Sequence, residues 1–370
     1  MTRVAVVKET AQDERRVAQV PDSVQKLIKL GLTVAIERGA GEAAGIDDAQ
    51  FVKAGAIIEP TAEATLAGAA VVLKVQRPSE EEVRKLPAGC LLVSFLQPSS
   101  SAALFAQLAA AKVNAMAMEK VPRTTRAQSV DALSSQATVA GYKAVLLGAS
   151  HCPRLFPMLT TAAGTLTPSK VFVLGAGVAG LQAIATAKRL GAVVSAFDVR
   201  PAVKEQVMSL GAKFVEVEGV GKEAETTGGY ATQLAEDQQR RVLEAVGKQL
   251  PEMDVVVTTA QIPGKAAPRL ITAKMTALMK RGSVIVDLAA ESGGNCELTR
   301  AGQTVVTEQG VTILGPTNLA ASVPLHASMM YARNLLTLMG LLVKDGALKL
   351  DLADDIVAAM LVTFDGAVRS

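Results

Sequence analysis

Residues 171–200 constrain the chain more than any other stretch. The apolar run Val171-Phe172-Val173-Leu174 has the length of a strand. It meets Gly175, Gly177 and Gly180 in G-x-G-x-x-G spacing, and an Ala-rich helical segment follows and ends before Gly191. A second apolar strand follows at once and stops on an acid, Asp198. The physical demands behind this spacing are specific. The first glycine allows a tight turn, the second lets a pyrophosphate approach bare backbone, and the third lets helix and strand pack closely while the helix N-terminus faces the phosphates. The pattern therefore predicts dinucleotide binding, with Asp198 accepting from the adenosine ribose hydroxyls. A carboxylate there repels a 2'-phosphate, which favours NAD(H) over NADP(H). Arg200 is the dissenting feature, since an arginine two residues beyond the acid can hold a 2'-phosphate. The alternative is a solvated arginine ahead of Pro201 at a helix start.

The rest of the chain fits an α/β protein. At 370 residues it exceeds one small core, and 49% hydrophobic against 20% charged residues describes an apolar globular protein. Lys and Arg number 38 against 35 acids, an excess too small and too dispersed for nucleic acid. Cys90, Cys152 and Cys296 lack metal or disulfide spacing and read as free thiols in a reducing compartment. The first residues, Met-Thr-Arg-Val-Ala-Val-Val-Lys-Glu, read as a strand and not a signal peptide, and residues 335–343 are too short to span a bilayer. Strands at 4–7, 33–36, 71–75, 91–95 and 113–116 alternate with helices at 24–30 and 102–111, which predicts parallel pairing. The expected architecture is two doubly wound Rossmann-like α/β domains with a cleft between them, joined by a long bridging helix over 133–148. The first domain spans 1–132 plus 315–370 and the second 133–314. Helices at 325–343 and 352–362 return to the first domain, and the apolar circumference of the former predicts an inter-domain or dimer contact as well as core.

Further segments carry candidate chemistry. Arg15 and Lys74 form a possible clamp for a carboxylate, or else charges solvated at strand ends. The polar run from Arg123 to Gln136 sets Arg, Gln, Asp and Ser together, a group able to bond the carboxamide and ribose of a nicotinamide; the plainer reading is a loop with Asp131 as N-cap. The glycine-rich segment 218–230 reads as a lid with Tyr230 beside a Gly228-Gly229 hinge, or as a surface excursion. Gln261 lies in the loop leaving the strand over 254–259, at a carboxyl edge where ligands sit in such folds.

These residues together resemble a family. The Arg-Ala-Gln-Ser-Val-Asp-Ala-Leu-Ser-Ser-Gln run, the Gly-Ala-Gly-Val-Ala-Gly turn, Phe197-Asp198-Val199-Arg200, Glu225-Thr226-Thr227-Gly228-Gly229-Tyr230-Ala231 and Ile262-Pro263-Gly264-Lys265 closely resemble domain I, the NAD(H)-binding component of proton-translocating nicotinamide nucleotide transhydrogenase. The resemblance implies that Gln128, Arg123, Asp131 and Ser134 act at the nicotinamide end, with Gln128 where two nicotinamides meet. Thr124, Thr125, Ser129 and Val130 join them in cofactor contact. It further implies that Gly175, Gly177, Val178 and Gly180 hold the pyrophosphate, that Asp198, Val199 and Arg200 hold the adenosine ribose, and that Gly229, Tyr230 and Gln261 complete the site. It implies no metal, a homodimer, and a separate NADP(H)-binding component beside membrane-spanning proton-translocating components. The chain itself would be cytoplasmic and peripheral on the inner face of the membrane, without insertion.

A second resemblance, to alanine dehydrogenase, runs through Lys8-Glu9, Glu14-Arg15-Arg16-Val17-Ala18 and Lys74. Reducing a 2-oxo or 2-imino acid requires a proton donor as well as a hydride. Alanine dehydrogenases place a histidine where this chain has Gln97-Pro98 and an aspartate where it has Glu291; His151 and His326 read as structural. Hydride passage between two nicotinamides needs no acid or base. A non-catalytic NAD-sensing module is the third reading.

Overall fold

The structure, a computed structural model, describes residues 2–220, 235–262 and 264–369. It forms two compact units, residues 1–136 with 320–370, and residues 137–319.

The first unit is built on an eight-stranded sheet. Its six parallel strands lie in the order Asn114–Ala117, Leu91–Ser94, Val71–Leu73, Arg3–Val6, Thr33–Glu37, Ile57–Glu59. Numbered along the chain this is 6-5-4-1-2-3, the doubly wound order, with its switch point between Arg3–Val6 and Val71–Leu73. Alternate residues serve opposite faces. Val4 and Val6 pack into one apolar cluster and Ala5 and Val7 into another, so helices must cover both faces. The helix Pro324–Leu342 buries Tyr331, Ala332, Leu335, Leu338 and Leu342 in the first cluster.

The C-terminal segment departs from expectation. In place of a helix over 352–362, a helix covers only Asp355–Met360, capped by Asp354, and gives way to the strand Leu361–Phe364. That strand pairs antiparallel with Asn114–Ala117, and Ala367–Val368 continues the sheet. The sequence Leu-Val-Thr-Phe suits a strand better than a helix, and its pairing covers the backbone edge that Asn114–Ala117 would otherwise leave open.

The second unit holds a seven-stranded sheet in the order Lys213–Phe214, Val193–Phe197, Lys170–Leu174, Val255–Thr258, Val284–Asp287, Thr312–Leu314, Thr304–Val306, parallel except for the last strand. Val171 and Val173 meet Ala183, Ile184 and Ala187 of the helix Val178–Arg189 on one face. Phe172 and Leu174 meet Val242 and Val246 of the helix Glu236–Gln249 on the other. The edge strand Lys213–Phe214 is only two residues long. One long helix, Ala132–His151, runs from the first unit into the second, three residues longer at its C-terminal end than expected. Within the second unit its Gly148 lies on Val255 and Val286. Among the described residues, no helix is long and apolar enough to cross a membrane, and no His/Cys/Asp/Glu group forms a metal site.

Candidate functional site

In the second unit the switch point lies between Lys170–Leu174 and Val255–Thr258. Their register pairs Leu174 with Thr258, so the glycine turn and the exit loop of the neighbouring strand leave side by side. Gly175 has φ +95°, a conformation that favours glycine, and its N–H donates to Phe197 O at 2.8 Å. The Thr259 hydroxyl donates to Gly175 O at 3.0 Å and fastens the turn to the exit loop. A Cβ at Gly180 would collide with the carbonyl of Gly175, so helix and strand approach this closely only with glycine there. The N-cap of the helix Val178–Arg189 is Gly177, which supplies no side-chain acceptor to the first-turn amides.

Asp198 is buried and busier than expected. Its Oδ2 accepts from Ala176 N at 2.7 Å, which ties the acid to the glycine turn. Arg200 donates to the same carboxylate from Nε at 2.9 Å and Nη2 at 2.8 Å, and from its backbone N at 2.9 Å. The alternative of a solvated Arg200 is therefore corrected. The Asp198–Val199–Arg200 turn puts the guanidinium back on the acid in a forked ion pair. Gln261 is exposed and donates to Leu288 O at 3.3 Å. Its loop is held by Asn295, fully buried, which accepts from Ala260 N at 3.0 Å and donates to Ala260 O at 2.9 Å and Pro268 O at 2.8 Å. Gly229 and Tyr230 lie outside the described residues.

In the first unit, Thr125–Val130 forms a 3-10 helix that leads into Ala132–His151. Residues three apart eclipse in such a helix. Ala127 and Val130 are fully buried, while Arg123, Thr124, Thr125, Gln128 and Ser129 are exposed. The same spacing sets Gln128 and Asp131 on one edge. Asp131 is also the helix cap, accepting from Ser134 N at 2.9 Å and Ser134 Oγ at 2.5 Å. Arg126, for which the sequence suggests no role, is fastened to Asp354 at 2.7 Å and to Asp355.

The Arg15–Lys74 clamp does not form. Arg15 is exposed, whereas Lys74 is buried and its Nζ sits 2.8 Å from Glu82 and 3.3 Å from Glu9. The solvated alternative fails for Lys74 as well. The buried arginine is Arg16, forked onto Glu14 through Nε at 2.8 Å and Nη2 at 2.6 Å and bonded to Gln136 at 2.7 Å. Burial alone would raise the Glu14 carboxyl, but the hydrogen bonds and charge of Arg16 outweigh it and hold it at about 2. His151 is exposed, with Nδ1 2.9 Å from Leu147 O, and His326 is exposed too.

Sequence reasoning missed Asn295, Asn334, Gly141 and Thr259. Gly141 packs so closely on Ala179 that no side chain fits between the two helices. The signal for Asn334 was present, as the one amide among buried residues of its helix that are apolar apart from Ser328 and the Tyr331 hydroxyl.

Comparisons with known proteins agree with this architecture. Residues 5–140 match the model of the alanine dehydrogenase/PNT N-terminal domain and residues 144–370 that of the C-terminal domain. An NAD(P) transhydrogenase subunit alpha polypeptide of Rhodospirillum rubrum is 49% identical, over 99% of this chain and 97% of its own length. The crystal structure of transhydrogenase from Sinorhizobium meliloti superposes with a TM-score of 0.91 at 45% identity, covering 99% of this chain and all of that one. An L-alanine dehydrogenase structure is more distant, with a TM-score of 0.80 at 26% identity over 99% of this chain and 96% of its own.

Proposed function

The chain belongs to the alanine dehydrogenase/PNT family, and from that membership we propose that it is the NAD(H)-binding component of a proton-translocating transhydrogenase. It would act as a homodimer, with a separate NADP(H)-binding component and membrane-spanning components. Its homologues of high identity are transhydrogenase alpha subunits, which supports this role.

The second unit fits a dinucleotide. Gly177 leaves open space where a Cβ would stand, with only the Arg200 guanidinium within 4 Å, so a pyrophosphate can reach the uncapped first-turn amides. In this proposal Gly175, Gly177, Val178 and Gly180 hold the pyrophosphate, Asp198, Val199 and Arg200 the adenosine ribose, and Gln261 flanks them. Arg123, Gln128, Asp131 and Ser134 orient the nicotinamide end, with Thr124, Thr125, Ser129 and Val130 beside them. The bound dinucleotide supplies the hydride donor or acceptor. The side chains supply donors and acceptors that fix its orientation and exclude water, and positioning of this kind is worth several kcal/mol.

One observation separates this from a 2-oxo acid dehydrogenase. Lys74, the cation that a substrate carboxylate would need, is already neutralised by Glu9 and Glu82 with its side chain 2% exposed. Gln97-Pro98 stand where a proton-donating histidine would be required, and Leu96 N and Gln97 N are instead bonded to Glu119.

The test mixes the chain with an NADP(H)-binding transhydrogenase component and follows reduction of an NAD analogue by NADPH, in deuterated water as well as ordinary water. Transfer without solvent deuterium in the product, and without turnover of alanine or pyruvate, is the expected result. Solvent label in the product, or no transfer at all, defeats the proposal. Gln128→Asn is expected to lower the rate with little loss of NADH affinity.

A further inference from the structure

We propose that Asn334 is a positioning residue for hydride transfer, acting by holding the turn that carries Gln128; this rests on the function proposed above. Thr125–Val130 is a six-residue 3-10 helix, longer than the three or four residues such helices usually reach, and its internal hydrogen bonds are poorer than those of an α-helix. Its N-cap, Thr124, contributes no side-chain cap. The conformation is therefore imposed from outside. Ala127 and Val130 pin the inner edge in the apolar core, but apolar contacts alone leave the exposed edge free to slide.

Asn334 removes that freedom. From the helix Pro324–Leu342 its buried carboxamide donates through Nδ2 to Ser129 O at 2.9 Å and accepts through Oδ1 from Ser135 Oγ at 2.7 Å. One side chain thus joins the last turn of the 3-10 helix to the first turn of Ala132–His151. It brackets the segment in which Asp131 accepts from Ser134 and Asp131 N donates to Gln128 O at 3.3 Å. Ser135 is fixed in turn, since its Oγ accepts from Gln136 Nε2 at 3.2 Å, and Gln136 is held by Arg16 at 2.7 Å and Ala327 O at 3.1 Å. The chemistry admits few substitutes. A carbonyl oxygen only accepts, so the group facing Ser129 must donate, while the other end must take the serine proton. An amide does both, and an aspartate of the same size would face Ser129 O with a lone pair.

The experiment compares Asn334→Asp and Ser135→Ala with the unaltered chain in the transfer assay, alongside NADH affinity and the thermal midpoint. Asn334→Asp is expected to lower turnover at least tenfold and Ser135→Ala severalfold, with KM and the NADH dissociation constant changing less than threefold. Because Asn334 is argued to act through Gln128, Asn334→Asp combined with Gln128→Asn should be hardly slower than the slower single variant. Undiminished turnover in the variants, fully multiplicative effects, or losses of rate that follow losses of NADH affinity each overturn the inference. Should Asn334→Asp fail to fold, Ser135→Ala decides by the same measurements. An unaltered chain that transfers no hydride defeats the proposed function as well, whereas normal transfer by both the chain and its variants defeats this inference alone.

Discussion

At the scale of single residues, Asp198 and Arg200 set the terms on which an adenosine ribose is met. The guanidinium donates to both carboxylate oxygens, and the Ala176 amide takes a further lone pair, so ribose hydroxyls and Arg200 compete for the same acceptors. From the sequence alone the carboxylate repels a 2'-phosphate; with Arg200 in place much of that charge is neutralised before any nucleotide arrives. Removing the guanidinium leaves the acid alone. Two like charges a few ångströms apart at a protein surface repel by about 1–4 kcal/mol. Arg200→Ala is therefore expected to raise the ratio of NADPH to NADH dissociation constants about tenfold, which corresponds to about 1.4 kcal/mol. Titration by nucleotide fluorescence is direct because the chain has no tryptophan. A ratio that stays constant shows that Arg200 does not discriminate between the nucleotides, and one that falls shows that it works against the 2'-phosphate; either result defeats this reading.

At the scale of elements, the glycine turn was legible because its demands are backbone demands. Strand, turn, helix and second strand are local, and close approach leaves glycines at fixed spacing. Gly180→Ala tests this directly: the new methyl would meet the Gly175 carbonyl and press on Thr259 Oγ1, so the helix must move away from the strand. Overpacking of this kind costs about 1–3 kcal/mol. The expected result is a lower thermal midpoint together with loss of NADH binding, and retained affinity would mean that the turn tolerates the shift. What the sequence hid was long-range. Leu361 to Phe364 is ambiguous by period and becomes a strand because Asn114–Ala117 offers an open edge 245 residues away, counting from Leu361 to Met116. Lys74 read as half of a carboxylate clamp or as a solvated charge because nothing in the pattern shows that Glu9 and Glu82 converge on it. The Arg123–Gln136 run showed its polar residues plainly, whereas the 3-10 geometry that separates Ala127 and Val130 from Gln128 depends on Asn334, over 200 residues later.

At the scale of the molecule, the buried charges of the first unit tie its stability to pH. Glu14, Arg16, Gln76, Glu9, Lys74 and Glu82 form one polar network at the carboxyl end of the sheet, where a doubly wound fold usually receives a ligand. Here the chain fills that place with its own ion pairs. A carboxyl held at about 2 when folded, against 4.5 as reference, contributes stability that is fully present above pH 4.5 and is lost as pH falls toward 2. The difference amounts to about 3 kcal/mol. Glu82 adds in the same direction, since Lys74 lowers it against the effect of burial. Glu9 is raised by burial despite Lys74, so its effect has the opposite sign: it favours the folded state as pH falls toward 4.5 and adds no further change below. Within this network the window below pH 4.5 therefore belongs to Glu14 and Glu82. Arg16→Met strips Glu14 of its fork and leaves a buried carboxylate without its cation, held only by Gln76 and backbone amides, so denaturant unfolding of this variant at pH 7 should show a loss of about 3 kcal/mol. Between pH 4.5 and 3 the variant's stability should change less than that of the unaltered chain, because the acid-sensitive interaction is already gone. Parallel pH profiles for the two proteins would place the acid sensitivity outside this network.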